Sequence, residues 1–550
     1  MLGARWLEGA IIEAFMQMTG QRVLTRDGGG LVVTVGGRWY VNVSNMLWLG
    51  TERLAALLGV FDVHAARVMR NVDARRYVRA AGRPGVAPVA RMVVGAAARL
   101  AGPVGRALEA VVAPERAWRR YEAAVEQQHQ RVAGVVRSAR SLPELGDGTL
   151  RHAVRLLVRE GMPLTCAAEG ATLLFRLLHL RASGERRQRL DVALSSMPHN
   201  VTVDMGLALY RLARSLEESV GRQAMADVPT LARRVGERNL PEVFLREWDA
   251  FMDSYGFRGP NELDLASPRY RDDPGIVLEQ MRQYVELDEA TQETPEQAHG
   301  RRQRQRREAY RGLLADTRNP LTAWLVRKLY RTAEAFSGCR EIHKYQLVRV
   351  AYQVRRGALE AGRELVEHGW LDSAEQVFDL TYEDLRSVTE ASGPDLRARA
   401  HDNTCYRRGI QRRPGAVFPV LVDSRGRVPR AVVRRAGPGV LVGEGVSAGV
   451  ARGPAKVLGH VGEKPVLPGE VLVARATDPG WTPLFVNAAG VVLETGGSFQ
   501  HGALVAREYG RPCVVGVEDA DQRVLDGQMV EIDGVSGTVT VVPDLPDSGG

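Results

Sequence analysis

The run Glu494-Thr-Gly-Gly-Ser-Phe-Gln-His501-Gly-Ala-Leu-Val-Ala-Arg507-Glu508 sets a histidine just after a glycine pair. A short β-rich run (491–493) precedes it, and apolar spacing predicts a helix over 502–509, so His501 stands where a helix begins. Gly496 and Gly497 let backbone N–H groups approach an anion, and a helix N-terminus favours negative charge. A histidine in that place can act as a nucleophile whose phosphorylated form is held by those amides. Gln500 can donate to a phosphoryl oxygen, and Gly502 leaves room for a bulky group. Gly496, Gly497, Gln500 and Gly502 are therefore the expected phosphoryl-binding residues. Taken alone, a histidine beside a glycine turn also fits a polar cap.

A second set lies far away in sequence. In the pattern R-E-x-x-K, Arg340 and Lys344 are about one helical turn apart and share a face. Two cations so placed would hold a transferring phosphoryl group and offset its developing charge. The alternative is an exposed i,i+4 face paired with nearby acids. Only four of the 74 basic residues are lysines, so a lysine at 344 is not filler. Arg258, Glu262 and Asp264 cluster around a glycine and read as a buried network or as acceptor-pocket lining, with Glu341 beside them as a substrate-binding candidate. Asp478-Pro479 reads as a helix cap, Thr477 and Trp481 as core or as a moving face, Arg507 and Glu508 as a helix-surface pair, and Cys513 as core.

The elements that must position these groups divide into two kinds. A chain of 550 residues is too long for one core. After an opening helix (6–18) that closes at Gly20, two β-rich runs (31–35 and 38–43) flank Gly36-Gly37, a hairpin signal. Long Ala/Leu/Arg/Glu segments follow, broken at Pro84-Gly85, Ser141-Leu-Pro, Gly161-Met-Pro and Asn319-Pro. The Arg-rich stretches 75–140 and 299–311 read as solvated helix faces, with an acidic partner as the alternative. Between 407 and 442 the chain turns Arg/Gly/Pro-rich around a short β-rich run, FPVLVDSRGR; beyond it, short β-runs alternate with glycines. The expected fold is multidomain α+β. A large helical domain with a small hairpin spans 1–406, a hinge 407–442, a small β/α domain 443–543 and a disordered tail 544–550. Two such dissimilar domains give no reason to expect a large fixed interface.

Several classes are excluded. No stretch approaches eighteen uninterrupted apolar residues, and Glu8 and Glu13 interrupt any signal-peptide core, so a cytoplasmic protein without membrane contact is expected. The excess of nine positive charges is carried by scattered arginines with only 6% aromatics, which is no platform for nucleic acid. The four cysteines form no C-x-x-C pair and have no histidine at zinc spacing, so no metal is expected.

The 446–542 region resembles the swivelling phosphohistidine (PEP-utilising, mobile) domain of phosphoenolpyruvate synthases, pyruvate phosphate dikinases and rifampicin phosphotransferases. The resemblance runs through GPAKV (453–457), LPGEVLVARATDPGWTPLF (467–485), GG-x-x-x-HGALVAREYGRPCVVGV and LDGQMVEIDGVSGTV (525–539). It departs at Phe499-Gln500, where the family often has Thr or Ser before the histidine. YGFRGPNELDLASPRYRDDP (255–274), FSGCREIHKYQLVRV (336–350) with the run on to 385, and GGRWYVNVSNML (36–47) are similar to the helical domain of rifampicin phosphotransferase-like proteins. Phe257 holds a position that is often His or Met there. The resemblance implies that His501 carries a phosphoryl group between distant sites, that Arg340 and Lys344 sit at the acceptor site, and that a small-molecule hydroxyl receives the group. Relatives charge the histidine from ATP on an ATP-grasp half. This chain begins about where the helical domain would and holds no G-x-x-x-x-G-K-[ST] loop, so ATP and Mg are expected on a separate ATP-grasp partner, with no tightly bound cofactor here. The expected function is thus the acceptor and carrier subunit of a split phosphotransferase. The alternative is a non-enzymatic relative that binds a ligand or partner.

Overall fold

The computed structural model describes residues 2–19, 32–35, 38–59, 62–73, 86–139, 141–179, 184–285, 293–381, 384–385, 396–411, 419–423, 425–429, 437, 439–461, 463–497 and 500–542. Gly20, Gly36-Gly37, Pro84-Gly85, Phe499, most of the expected hinge and the 544–550 tail lie outside these residues.

Helices dominate up to Gln411, apart from one hairpin. Its strands β1 (Val32–Val35) and β2 (Arg38–Val41) pair antiparallel with Val35 opposite Arg38, the register a two-residue connection gives. Ser141 and Asn319 cap the helices Leu142–Leu156 and Pro320–Phe336, accepting hydrogen bonds from first-turn amides, as residue types that favour helix starts should. The expected break at Gly161-Met-Pro does not occur. A π-turn, Leu157–Gly161, carries the helix on into Met162–Leu178. A Cβ on Gly161 would meet the His343 ring at 2.6 Å, so the glycine admits that ring from the helix Cys339–Glu367.

The β/α part is one eight-stranded sheet, in the order β3-β10-β9-β5-β6-β7-β8-β4. Its strands are β3 (Val440–Val442), β4 (Glu444–Ser447), β5 (Val450–Leu458), β6 (Val471–Ala474), β7 (Gly490–Leu493), β8 (Cys513–Val515), β9 (Met529–Asp533) and β10 (Thr538–Val541). Strands β5, β6, β7 and β8 run parallel, and the helix His501–Tyr509 makes the crossover between β7 and β8. Every residue of β6, β7 and β8 is buried, which explains their unbroken apolar sequences. The last long helix runs to Gln411 and β3 starts at Val440, so regular structure extends into both ends of the expected 407–442 hinge. Of FPVLVDSRGR, the described residues join no strand. Asp423 instead closes a turn by accepting from the amides of Arg425 and Arg427.

The two faces of the sheet do different things. Val471, Val473, Val492 and Val514 pack with Val530 and Ile532 in the domain's own core. Leu472, Ala474, Val491, Leu493, Cys513 and Val515 face a second core that also holds Met205, Leu209, Trp248, Tyr270, Met281 and Tyr284 of the helical part. The strand period of two thus assigns alternate residues to folding and to docking. Contrary to the expectation of a slight interface, the two parts share their largest apolar cluster. Gly206 is where they come closest: a Cβ there would meet the Tyr509 hydroxyl at 3.0 Å and the Thr482 methyl at 3.1 Å. The expected outcome of Gly206→Val is an interface wedged open at a cost of about 1–3 kcal/mol. Hydrogen exchange in the helix His501–Tyr509 should accelerate while the Leu142–Leu156 helix is unchanged; equal protection in both proteins would contradict the packed interface.

Candidate functional site

Arg258 and Glu262 sit in the turns after the helix Glu242–Tyr255, and each side chain is only 1% exposed. The guanidinium grips the carboxylate with both Nε and Nη2, the latter at 3.2 Å. Lys344, from the helix Cys339–Glu367, reaches the same carboxylate with Nζ 3.1 Å from Oε2. Burial pushes the Glu262 pKa upward, but Arg258 and Lys344 outweigh it and hold the group down at about 2. Burial likewise opposes the charge on Arg258, and Glu262 more than offsets it, so that pKa is raised. Arg258 keeps one buried nitrogen, Nη1, without a hydrogen-bond partner.

His501 opens its helix opposite this cluster. Gln500 is the N-cap residue and makes no side-chain cap, while the first helical bond runs from the Leu504 amide to the Gln500 carbonyl at 3.1 Å. The amides of His501, Gly502 and Ala503 therefore precede the hydrogen-bonded ladder. Burial first, then Lys344 and Arg258, push the His501 pKa down to about 3, with Glu262 and a hydrogen bond that the ring donates to the Asp478 backbone carbonyl opposing. Nε2 is buried and has no partner, which leaves Nδ1 as the nitrogen that meets Asp478. The site thus presents a neutral imidazole with an open nitrogen, facing two cations from another domain. That is the protonation state a nitrogen nucleophile needs.

The other expected residues divide. Gly496 has φ +141°, a conformation suited to glycine, and its carbonyl accepts from the Val63 amide at 2.9 Å, where the helix Val63–Arg70 begins. Gly497 accepts from the Gln500 amide at 3.0 Å, closing the loop. Gly502 does not leave room for a phosphoryl group. A Cβ there would strike Leu493 at 2.4 Å and the Thr477 hydroxyl at 2.7 Å, so this glycine lets the helix pack on β7. Glu341 accepts from the Thr202 hydroxyl at 3.4 Å and acts electrostatically on Arg258. Arg340 lies near Arg507 of the β/α domain and helps to lower its pKa, after burial. Phe257 is buried against Tyr345 at 4.9 Å, an apolar use of its position.

Three groups mattered more than their sequence suggested. Asp478 does cap the short Pro479–Trp481 turn, accepting from Gly480 at 2.8 Å, but it also accepts from the Asn261 backbone across the interface. Asn261 has φ +50°, a turn conformation that asparagine tolerates. Glu508 is no surface partner of Arg507. It lies at the interface near Ser196, Arg302 and Arg306, and burial raises its pKa to about 7. Nor is 299–311 simply a solvated face, since Arg306 is 3% exposed and bonded to Glu334 at 2.8 Å, while Arg302 sits over the Tyr509 ring. Asn261 and Asp478 both lie in turn-forming sequence, but only the docked fold brings them together.

Comparison with known proteins follows the same division. Residues 160–341 match the rifampicin phosphotransferase fourth domain, and 466–537 match the mobile domain of PEP-utilising enzymes. Rifampicin phosphotransferase of Streptomyces sviceus is 30% identical over 365 residues, 64% of this chain and 41% of that protein. A Streptomyces sp. rifampicin phosphotransferase is 32% identical over 372 residues, again 64% and 41% of the two chains. Chondramide synthase cmdD of Chondromyces crocatus is 30% identical over 357 residues, 61% of this chain but 9% of its own length. This chain is similar to the rifampicin phosphotransferases over part of their length and carries a region that matches the mobile domain of PEP-utilising enzymes. The match spans 41% of the length of those phosphotransferases. His501 falls inside the mobile-domain match, and Arg258, Glu262, Arg340 and Glu341 fall inside the other; Lys344 lies just beyond it.

Among the described residues no helix is long and apolar enough to cross a membrane, and no three His, Cys, Asp or Glu side chains converge as a metal site.

The lowered His501 pKa fixes a pH dependence. The free ring titrates near 6.5 and the docked ring near 3, so the separated state binds more protons between those values. Docking is therefore at full strength above pH 6.5 and weakens as the pH falls toward 3. Carbon-13 NMR of the labelled ring should show a neutral imidazole at pH 5, and Lys344→Ala should move the transition upward. A His501 that titrates near 6.5 in both proteins would show that the ring does not meet these cations.

Proposed function

We propose that this protein is the acceptor and carrier part of a dikinase-type phosphotransferase. In this reading an ATP-grasp module on a partner subunit, with ATP and Mg, phosphorylates His501 when the swivelling domain is undocked. The domain then returns to the helical part, and the phosphoryl group passes to a hydroxyl of a small-molecule acceptor held there. The observation that carries the proposal is the open Nε2 of a neutral His501 set against Lys344 and the buried Arg258–Glu262 pair. His501 breaks its N–P bond as the acceptor oxygen forms the new O–P bond and releases its hydroxyl proton to solvent, and the ring leaves as the neutral imidazole its surroundings favour. Lys344 and Arg258 offset charge on the phosphoryl oxygens in transit. Glu262 holds both cations in place and touches no reacting atom in this scheme. The rifamycin class is the acceptor that the relatives' names suggest.

The test uses the chain with its ATP-grasp partner, Mg and labelled ATP. The expected product is an acid-labile, base-stable phosphoramidate on Nε2 of His501, absent from a folded His501→Ala protein. Lys344→Ala should still be labelled but should pass the phosphoryl group on about ten- to a thousandfold more slowly, the scale of losing one charge-stabilising group. Label that persists in His501→Ala, or none in the wild type with its partner present, would overturn the proposal.

A further inference from the structure

The helical part has a second arginine-rich concavity, made by elements the proposed transfer does not use. The helices Val86–Val112, Pro114–Ser138 and Leu142–Leu156 and the π-turn Leu157–Gly161 enclose a cleft of about 190 Å³. Arg106, Arg131, Arg155 and Arg159 line it together with His152 and Gln128. One carboxylate, Glu160, is also present but already engaged, by Arg106 at 3.0 Å and Arg120 at 3.3 Å. Arg131, Arg155 and Arg159 have no ion-pair partner among the described residues. Burial, then Arg131, Arg155 and Arg151, lower the His152 pKa, so that ring adds a neutral donor or acceptor rather than a further charge.

Gln128 separates this cleft from an ordinary solvated arginine face. It is 3% exposed, lines the cleft, and has neither its Oε1 nor its Nε2 hydrogen-bonded. A buried amide with both ends unmet costs stability unless something supplies the missing bonds. The π-turn is the other departure from regularity. Such turns are rare and recur at functional sites, and this one brings Arg159 to the cleft while its last residue, Gly161, admits His343 beside Lys344.

We propose that this cleft binds a small multivalent phosphate compound, separate from the phosphoryl group on His501. Three uncommitted guanidinium groups match an anion of two or three charges, and their forked donors suit tetrahedral oxyanions, which accept from several directions at once. The Gln128 amide meets a protonated phosphate oxygen or an ester hydroxyl, giving and taking one hydrogen bond. The volume holds a molecule the size of pyrophosphate or a phosphorylated small metabolite.

Calorimetry of the full chain with inorganic pyrophosphate tests this, in a Lys344→Ala background so that the transfer site contributes less. Saturable 1:1 binding is expected, weakened at least about tenfold in Arg131→Ala/Arg155→Ala. Gln128→Leu should weaken it severalfold without lowering thermal stability, since it removes a buried amide that has no partner. Arg119→Ala/Arg137→Ala, which removes two arginines outside the cleft, should leave the affinity unchanged. Citrate at equal charge should bind more weakly than pyrophosphate. Equal loss in the two arginine pairs would mean diffuse surface charge and overturn the proposal. So would binding indifferent to Gln128, a preference for citrate, or no saturable binding.

Discussion

A carboxylate buried to 1% exposure cannot stay ionised unless cations go inside with it, and the site is arranged around that constraint. Glu262 requires Arg258, whose Nε and Nη2 bind it in a fork, and it draws in Lys344 from a helix that is remote in sequence. Burial first, and then these two cations, disfavour a further positive charge, so His501 enters the cluster neutral. Removing any one member leaves an uncompensated charge or an idle base. The cluster is thus a unit whose parts make sense only together, although they come from a turn, a long helix and a separate domain.

The interface follows from what that unit needs. A phosphoryl donor must be placed within a fraction of an ångström to react, and flexible side chains alone give poor precision. Here the swivelling domain seats one face of β6, β7 and β8 and Tyr509 into the helical core, with Gly206 allowing close approach. Around that apolar seat run directional contacts, each from donor to acceptor: Val63 to Gly496, Arg67 to Gly516, Asn487 to Gln283, and Asn261 to Asp478. The first touches the loop that begins the His501 crossover, and the second touches the turn that follows β8, where the crossover has ended. A contact that holds the domain therefore also fixes the loop that leads into His501. Glu508, near neutrality in its pKa and ringed by Arg302, Arg306 and Arg507, adds a charge-sensitive edge to the same seat.

Much of this was legible in the sequence because local rules governed it. The helical start at His501, the strand before it and the hairpin register all follow from periodicity and turn residues. The shared face of Arg340 and Lys344 follows from helical spacing alone. What was not legible was partnership. Arg507 and Glu508 look like any i,i+1 surface pair, and only the docked partner shows that Glu508 is desolvated. Gly502 looks like space for a ligand, whereas Leu493 and Thr477 fill it. The π-turn at Gly161 defeated a breaker signal because the wider turn carries the chain past Pro163 without ending the helix. For Glu508 the deciding atoms belong to Ser196, Arg302 and Arg306, far off in the chain, and no local window contains them.

The docked arrangement also has a direction built into its charges. With His501 unmodified, Arg258 Nη1 and His501 Nε2 are both buried and both without a hydrogen-bond partner. Unmet buried donors and acceptors are costly, so the unmodified docked state carries a deficit that its apolar seat must offset. A phosphoryl group on Nε2 would remove that deficit on the carrier side and bring acceptor oxygens toward the cationic pair. Charge complementarity then favours the loaded domain over the empty one at this seat. Once the phosphoryl has left, the deficit returns. In the proposed transfer the same buried carboxylate that assembles the site would hold the cations that favour the loaded domain, while burial and those cations would leave the spent ring neutral with its Nε2 again without a partner.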